Sequence, residues 1–218
     1  MFVEDTGGSA FKPVPAGNHL ARCFRIVDLG TQKSSFEGQE KNLHKIKVYF
    51  EVHGDDEHGL AMITAKNEPM TISKDYTLSW GEMATLRKDL QTWRGKPFSE
   101  EERKRFDLKN ILGVFGMVNV VHKPKKSGSG VYANISSITP VPNAMKSLLP
   151  TGFNKCDMFQ IDEPDMEMFN AFPPFLQVLI AASPEWNHRN NNVAHHAPKT
   201  SENSAPSAFD NDDSDAPF

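Results

Sequence analysis

From Leu43 to Val52 the chain alternates with a period of two. His44, Ile46, Val48, Phe50 and Val52 fall on one face, and Lys45, Lys47, Tyr49 and Glu51 on the other. A helix of period 3.6 would mix these two sets, whereas a pleated strand keeps them apart. The chain therefore needs a sheet with one buried face. Two further stretches read as strands before any helical spacing occurs, His19 to Leu29 and Met70 to Leu78. The polar run Gly30 to Glu40 reads as a loop, as does His53 to Asn67 with its Gly and acidic residues. Arg22 and Arg25 are expected on opposite faces of the first strand, so that at most one of them lies on any binding surface.

The period then changes. Met83, Leu86, Leu90 and Trp93 recur at helical spacing within Gly81 to Trp93, and Gly95 supplies a stop. Ser99 with Glu102 three residues on has the form of a capping box and opens a short second helix. Asp107 to Leu112 adds a turn. Val114 to His122 and Val131 to Ile138 are two more strands, joined by the basic, Gly/Ser-rich hairpin Lys123 to Gly130. Three strands, a helical connection and two strands is the element order of the OB-fold, a five-stranded Greek-key barrel. The expected class is thus all-β: residues 1–16 an arm, 17–142 the barrel, 143–186 an extension with a short C-terminal helix around Phe169 to Ile180, and 187–218 a disordered linker and acidic tail.

Charge divides along the same lines. Residues 1–150 hold 21 Lys+Arg against 17 Asp+Glu, and residues 151–218 hold 3 against 11. A net of −4 therefore conceals a mildly basic body and a strongly acidic end, the asymmetry of a nucleic-acid binder with a competing tail. The stretch before the tip is rich in Asn, Ser, Pro and His and too poor in large apolar residues to offset its ordering entropy. The tip carries Asp210, Asp212, Asp213 and Asp215, then Pro217 and Phe218. Carboxylates for a basic pocket and a ring for an apolar notch make such a tether a partner-binding element.

Binding candidates follow from what single-stranded nucleic acid requires, cations for phosphates and flat rings for unstacked bases. Lys45, Lys47 and Tyr49 share a strand face, and Lys74 and Tyr76 repeat the Lys-x-Tyr spacing on the neighbouring strand, where Tyr76 also shares its face with Ile72 and Leu78 and has a core position as its alternative. Lys123, Lys125 and Lys126 concentrate charge in the hairpin where an OB barrel uses its loop between strands four and five. No phosphate-cradling Gly loop ending in Lys-Ser/Thr and no Gly-x-Ser-x-Gly elbow occurs, so no catalytic residue, cofactor or metal ligand is expected. The acidic runs Asp55-Asp56-Glu57-His58 and Asp162-Glu163-Pro164-Asp165 leave a metal-dependent nuclease as the rival from another class. No run of 18 apolar residues occurs, and Cys23 and Cys156 read as reduced thiols; a cytoplasmic protein without membrane contact is expected.

Several stretches resemble the OB-fold single-stranded DNA-binding proteins of tailed bacteriophages and prophages: Pro15 to Cys23, Ile26 to Gln32, Ile72 to Leu78, Leu86 to Leu90, Trp93 to Gly95, Phe106 to Asn110, Asn119 to Lys123 and Tyr132 to Ile135. The tip resembles the acidic, Pro-Phe-ended tip of bacterial single-stranded DNA-binding proteins. These resemblances imply a non-enzymatic accessory of phage DNA replication or recombination, acting in the host cytoplasm. Such a protein coats single-stranded DNA with little sequence preference. It recruits replication, recombination or repair proteins through its tip and can self-associate as a homo-oligomer. A recombination mediator or strand-annealing protein is the nearest alternative.

Overall fold

The computed structural model describes residues 12–36, 39–125 and 130–195, with side chains for 12–34, 39–125 and 130–189. The chain is mostly β. Five strands, β1 (Gly17–Phe36), β2 (Gln39–His53), β3 (Thr71–Thr77), β4 (Phe115–Pro124) and β5 (Val131–Thr139), pair antiparallel in the order β3-β2-β1-β4-β5. A sixth, β6 (Asp157–Phe159), adds parallel to β1. The sheet is not closed: among the described residues β3 pairs only with β2 and β5 only with β4. Between β3 and β4 lie α1 (Thr85–Arg94), α2 (Glu100–Lys104) and a 3-10 turn at Leu108–Ile111. No helix among the described residues is long and apolar enough to cross a membrane.

The period-two reading of β2 holds. Ile46, Val48, Phe50 and Val52 are buried with Ala21, Cys23, Ile26, Val118, Val120, Ile135 and Ile138 from the other strands. Helix α1 closes this core with Leu86, Leu90 and Trp93, and Gly95 ends it in the left-handed region at φ 71°. The capping box is present: Ser99 accepts from the Glu102 N–H while Glu102 accepts from the Ser99 N–H.

Strand β1 departs from expectation in two ways. Residues 30–36 are not a loop but continue the strand, pairing Thr31 with His44 through to Phe36 with Gln39. Polar residues extend here because the ribbon has a hydrogen-bonded partner along its whole length, which composition does not report. Bulges also interrupt β1 between Cys23 and Arg25 and between Asp28 and Gly30. An extra residue reverses the alternation beyond it. Arg22, opposite Glu51, and Arg25, opposite Tyr49, therefore lie on the same outer face rather than on opposite ones.

The expected single C-terminal helix is three: α3 (Met166–Ala171), α4 (Pro174–Ala181) and α5 (Pro184–His195). The last runs into the segment expected to be a linker from residue 187. With β6 these helices form a second core of Phe159, Ile161, Phe172, Leu176, Ile180 and Trp186 against Val27 and Leu29 of β1. Val27 reaches this outer face because the first bulge reversed the strand, and Leu29 is itself the extra residue of the second bulge. Phe169 stacks on Trp186 with ring centroids 4.4 Å apart, and Phe159 meets Phe172 edge-on at 5.2 Å. Glu185 at the start of α5 accepts from the Thr31 N–H at 2.9 Å and its hydroxyl at 2.5 Å. Gly30, at φ 65°, lets the helix come this close, since a Cβ there would lie 2.6 Å from Ser183 Cβ.

One buried carboxylate joins the extension to the sheet. Glu51 is fully buried on the outer face of β2. Its Oε1 accepts from Arg22 Nη1 at 2.6 Å, His53 Nε2 at 3.1 Å and the Phe153 N–H at 2.9 Å. Its Oε2 accepts from the Asn154 N–H and side-chain amide, both at 2.7 Å. Burial alone would raise the Glu51 pKa, but the donors from Asn154, Arg22 and Phe153 outweigh it and bring it down to about 2. A carboxylate depressed in the folded state stabilises it at pH values above the unfolded pKa of about 4.3. That stabilisation is lost as pH falls from there towards 2. Glu51→Gln leaves Arg22 a buried, unpaired cation and is expected to cost about 3–5 kcal/mol at neutral pH in urea unfolding. The difference from the parent protein should narrow as the pH is lowered through this range; an unchanged difference would contradict the assignment.

Candidate nucleic-acid interface

Two of the candidate pairs lie on opposite faces. In the β2–β3 register Lys47 faces Asp75 and Tyr49 faces Ser73, whereas Lys74 faces Val48 and Tyr76 faces Ile46. Lys74 and Tyr76 are thus on the inner face, and the repeated Lys-x-Tyr spacing does not extend the outer patch. Tyr76 is 4 % exposed and donates its hydroxyl to Asp89 Oδ2 at 2.9 Å, which corrects the expectation of a base-stacking ring. Burial, then Asp89, raises its pKa. Lys74 pairs with the same carboxylate at 2.6 Å. The i and i+2 spacing was right, but its phase places the pair on the face of Ile72, with Tyr76 in the core.

Tyr49 is on the outer face as expected but is not a free platform. It packs against the second core and lies 6.2 Å from the Phe24 ring. Burial pushes its pKa up to about 12, with Asp75 adding to the shift. Lys47 forms an ion pair with Asp75. Arg22 is held by Glu51, and Arg25 makes a two-pronged pair with Asp157 at 2.6 and 2.7 Å. Lys45 shares this face and makes no ion pair among the described residues. The extension therefore covers the β1 side of the outer face and engages Arg22 and Arg25, while Asp75 of β3 holds Lys47.

The hairpin side is open. Lys123 is opposite Tyr132 across the β4–β5 pair, and Lys125 Nζ sits 5.4 Å from the centre of the same ring. Neither lysine pairs with a carboxylate among the described residues. Tyr132 is 57 % exposed, and sequence reasoning did not select it. Its signal was its place nine positions after Lys123, symmetric about the hairpin, which puts ring and cation on one face. Lys126 and the partner-binding candidates Asp210, Asp212, Asp213, Asp215, Pro217 and Phe218 lie outside the described residues, as does the arm before Lys12.

Beside Tyr132 a groove of about 280 Å3 follows the open seam between β3 and β5. Thr71, Ile72 and Ser73 form one wall, Val131, Tyr132 and Ala133 the other, and Pro13, Val14 and Lys125 complete the lining. Val14 is buried in the main core, and its carbonyl accepts from His122 Nε2 at 2.8 Å, so the end of the arm forms a fixed end to the groove.

The acidic loop after β2 has a structural explanation. Asp56 Oδ1 accepts from the His58 and Leu60 N–H groups, both at 2.9 Å, and so caps its own turn. Among the described residues no group of three or more His, Cys, Asp or Glu side chains is arranged to hold a metal. Cys23 and Cys156 are free thiols. No family model and no curated protein matches the chain.

Tyr76→Phe removes only the bond to Asp89 and is expected to lower stability by about 0.5–1.5 kcal/mol. Its oligonucleotide affinity in a fluorescence titration should equal that of the parent. A loss of affinity at unchanged stability would return Tyr76 to the binding surface.

Proposed function

We propose that this protein binds and protects single-stranded DNA with little sequence preference, as a non-enzymatic accessory of phage DNA replication or recombination. The observation that carries the proposal is the exposed Tyr132 ring flanked by Lys123 and Lys125 at the mouth of the seam groove. A ring offers a stacking platform to any base, at roughly 1–3 kcal/mol for each base stacked, and the lysines offer counter-charges to a phosphate chain of variable path. The strand path β3-β2-β1-β4-β5, with α1 between β3 and β4, supports an OB-type barrel, whose loop between strands four and five touches nucleic acid. Lys45 and Lys126 add charge on the same reading, and Lys47 contributes if phosphate displaces Asp75. The resemblance to phage single-stranded DNA-binding proteins points the same way.

The acidic tip has the second role. Asp210, Asp212, Asp213 and Asp215 with Pro217 and Phe218 recruit replication, recombination or repair proteins. Phe218→Ala keeps every side-chain charge, so it should leave DNA affinity unchanged while abolishing capture of replication enzymes in a pull-down. If intact and substituted protein capture the same enzymes, the tip has no such role.

A titration with single-stranded and duplex oligonucleotides at several salt concentrations tests the central proposal. Single strands should be preferred, with log K falling as log salt rises. Replacing Lys123 and Lys125 together by Ala should reduce the magnitude of that slope by about 1.4, near 0.7 for each phosphate no longer neutralised. A preference for duplex, or a slope that these substitutions leave unchanged, would contradict it.

A further inference from the structure

Among the described residues the walls of the seam groove are unpaired strand edges. The Leu78 N–H donates to the His44 carbonyl and the Val52 N–H to the Met70 carbonyl, at 2.8 Å each. In an antiparallel pair the residues that bond their partner alternate with residues that point away from it. Even-numbered β3 residues therefore bond β2, and Thr71 and Ser73 turn their N–H and C=O towards the groove. On the other wall the Lys125 N–H donates to the Gly130 carbonyl at 3.1 Å. The same alternation makes Lys123 and Tyr132 a bonded pair and turns the N–H and C=O of Val131 and Ala133 towards the groove. Thr71, Ser73, Val131 and Ala133 are all groove-lining residues. Among the described residues no strand supplies them with a partner across the seam.

Resting on the single-stranded DNA reading, we infer that the groove takes an unstacked nucleobase, whose Watson–Crick edge pairs with the open backbone edge of β3 or β5 while Tyr132 stacks on its face. Each base carries a donor and an acceptor side by side on that edge. A strand residue pointing outward offers an N–H and a C=O side by side in the same way. The thymine N3–H donates to a backbone carbonyl as its O4 accepts from the neighbouring N–H, and adenine makes the reciprocal pair through N1 and its amino group. Backbone groups meet all four bases, so the groove is tolerant of sequence. They cannot meet a base already paired in a duplex, since its edge is in use. The open seam is thus the determinant of single-strand selectivity, and Lys123 and Lys125 hold the phosphates on either side of the inserted base.

Oligothymidylate and the same oligomer carrying N3-methylthymine separate edge recognition from stacking and charge. The methyl group removes the N3–H donor and blocks the edge but leaves ring face and phosphates intact. With the full-length protein, N3-methylation should weaken binding about tenfold, the scale of one or two net hydrogen bonds. Tyr132→Ala should bind both more weakly and show a smaller difference between them. Equal affinity of the parent protein for the two oligomers would overturn edge pairing while leaving single-strand binding standing. No binding of unmodified oligothymidylate would overturn the single-strand reading and this inference with it.

Discussion

Glu51 carries the arrangement on which the rest of the molecule depends. A fully buried carboxylate in a strand is tolerable only if its oxygens are satisfied, and five donors converge on it. Three of them belong to Phe153 and Asn154, about a hundred residues further along the chain. Arg22 ties the same point down from β1, reaching the Asn154 carbonyl and Cys156 Sγ as well as Glu51. Gly152 makes room for that guanidinium, since a Cβ there would sit 1.6 Å from Arg22 Nη1. With this loop anchored, Asp157 arrives opposite Arg25, β6 pairs with β1, and the apolar residues from Phe159 to Trp186 land on Val27 and Leu29.

That anchoring decides which surface is left for a partner. The outer face of β1 and the adjoining part of β2 lie beneath the extension, with Arg22, Arg25 and Lys47 each held by a carboxylate, and Lys74 on the inner face is held by Asp89. An exposed ion pair contributes little to stability, but it does lower the positive charge available to a polyanion. Lys123 and Lys125 stand apart from this pairing, at the tip of the β4–β5 hairpin. Tyr132 stands with them, beside the one seam where the sheet remains open among the described residues. The proposed DNA-binding role thus rests on surface selection, in which folding covers one basic, aromatic face and leaves another.

Much of the sheet was legible in the chain because local rules sufficed for it. The alternation in Leu43–Val52, the capping box at Ser99 and the stop at Gly95 all depend on neighbouring residues. The misread parts depend on distant partners. Nothing near Phe24 or Leu29 signals a bulge, yet these two extra residues decide where Arg25, Val27 and Leu29 point. Residues 30–36 are strand because residues 39–44 pair with them. Tyr49 reads as exposed until the second core packs against it. Tyr76 follows the alternation perfectly well, but on the buried side, with Asp89 of α1 waiting for its hydroxyl. Tyr132 was within reach, since counting outward from the hairpin pairs it with Lys123.

Amide hydrogen exchange of the full chain, with and without a single-stranded oligonucleotide, tests the account most directly. Without DNA, the amides of Thr71, Ser73, Val131 and Ala133 should exchange faster than their bonded neighbours Ile72, Lys74 and Tyr132. Saturating DNA should slow those four and leave the β1–β6 pairing unchanged. Slowed exchange confined to the Lys45–Tyr49 face or the C-terminal helices, with the seam amides unaffected, would contradict it.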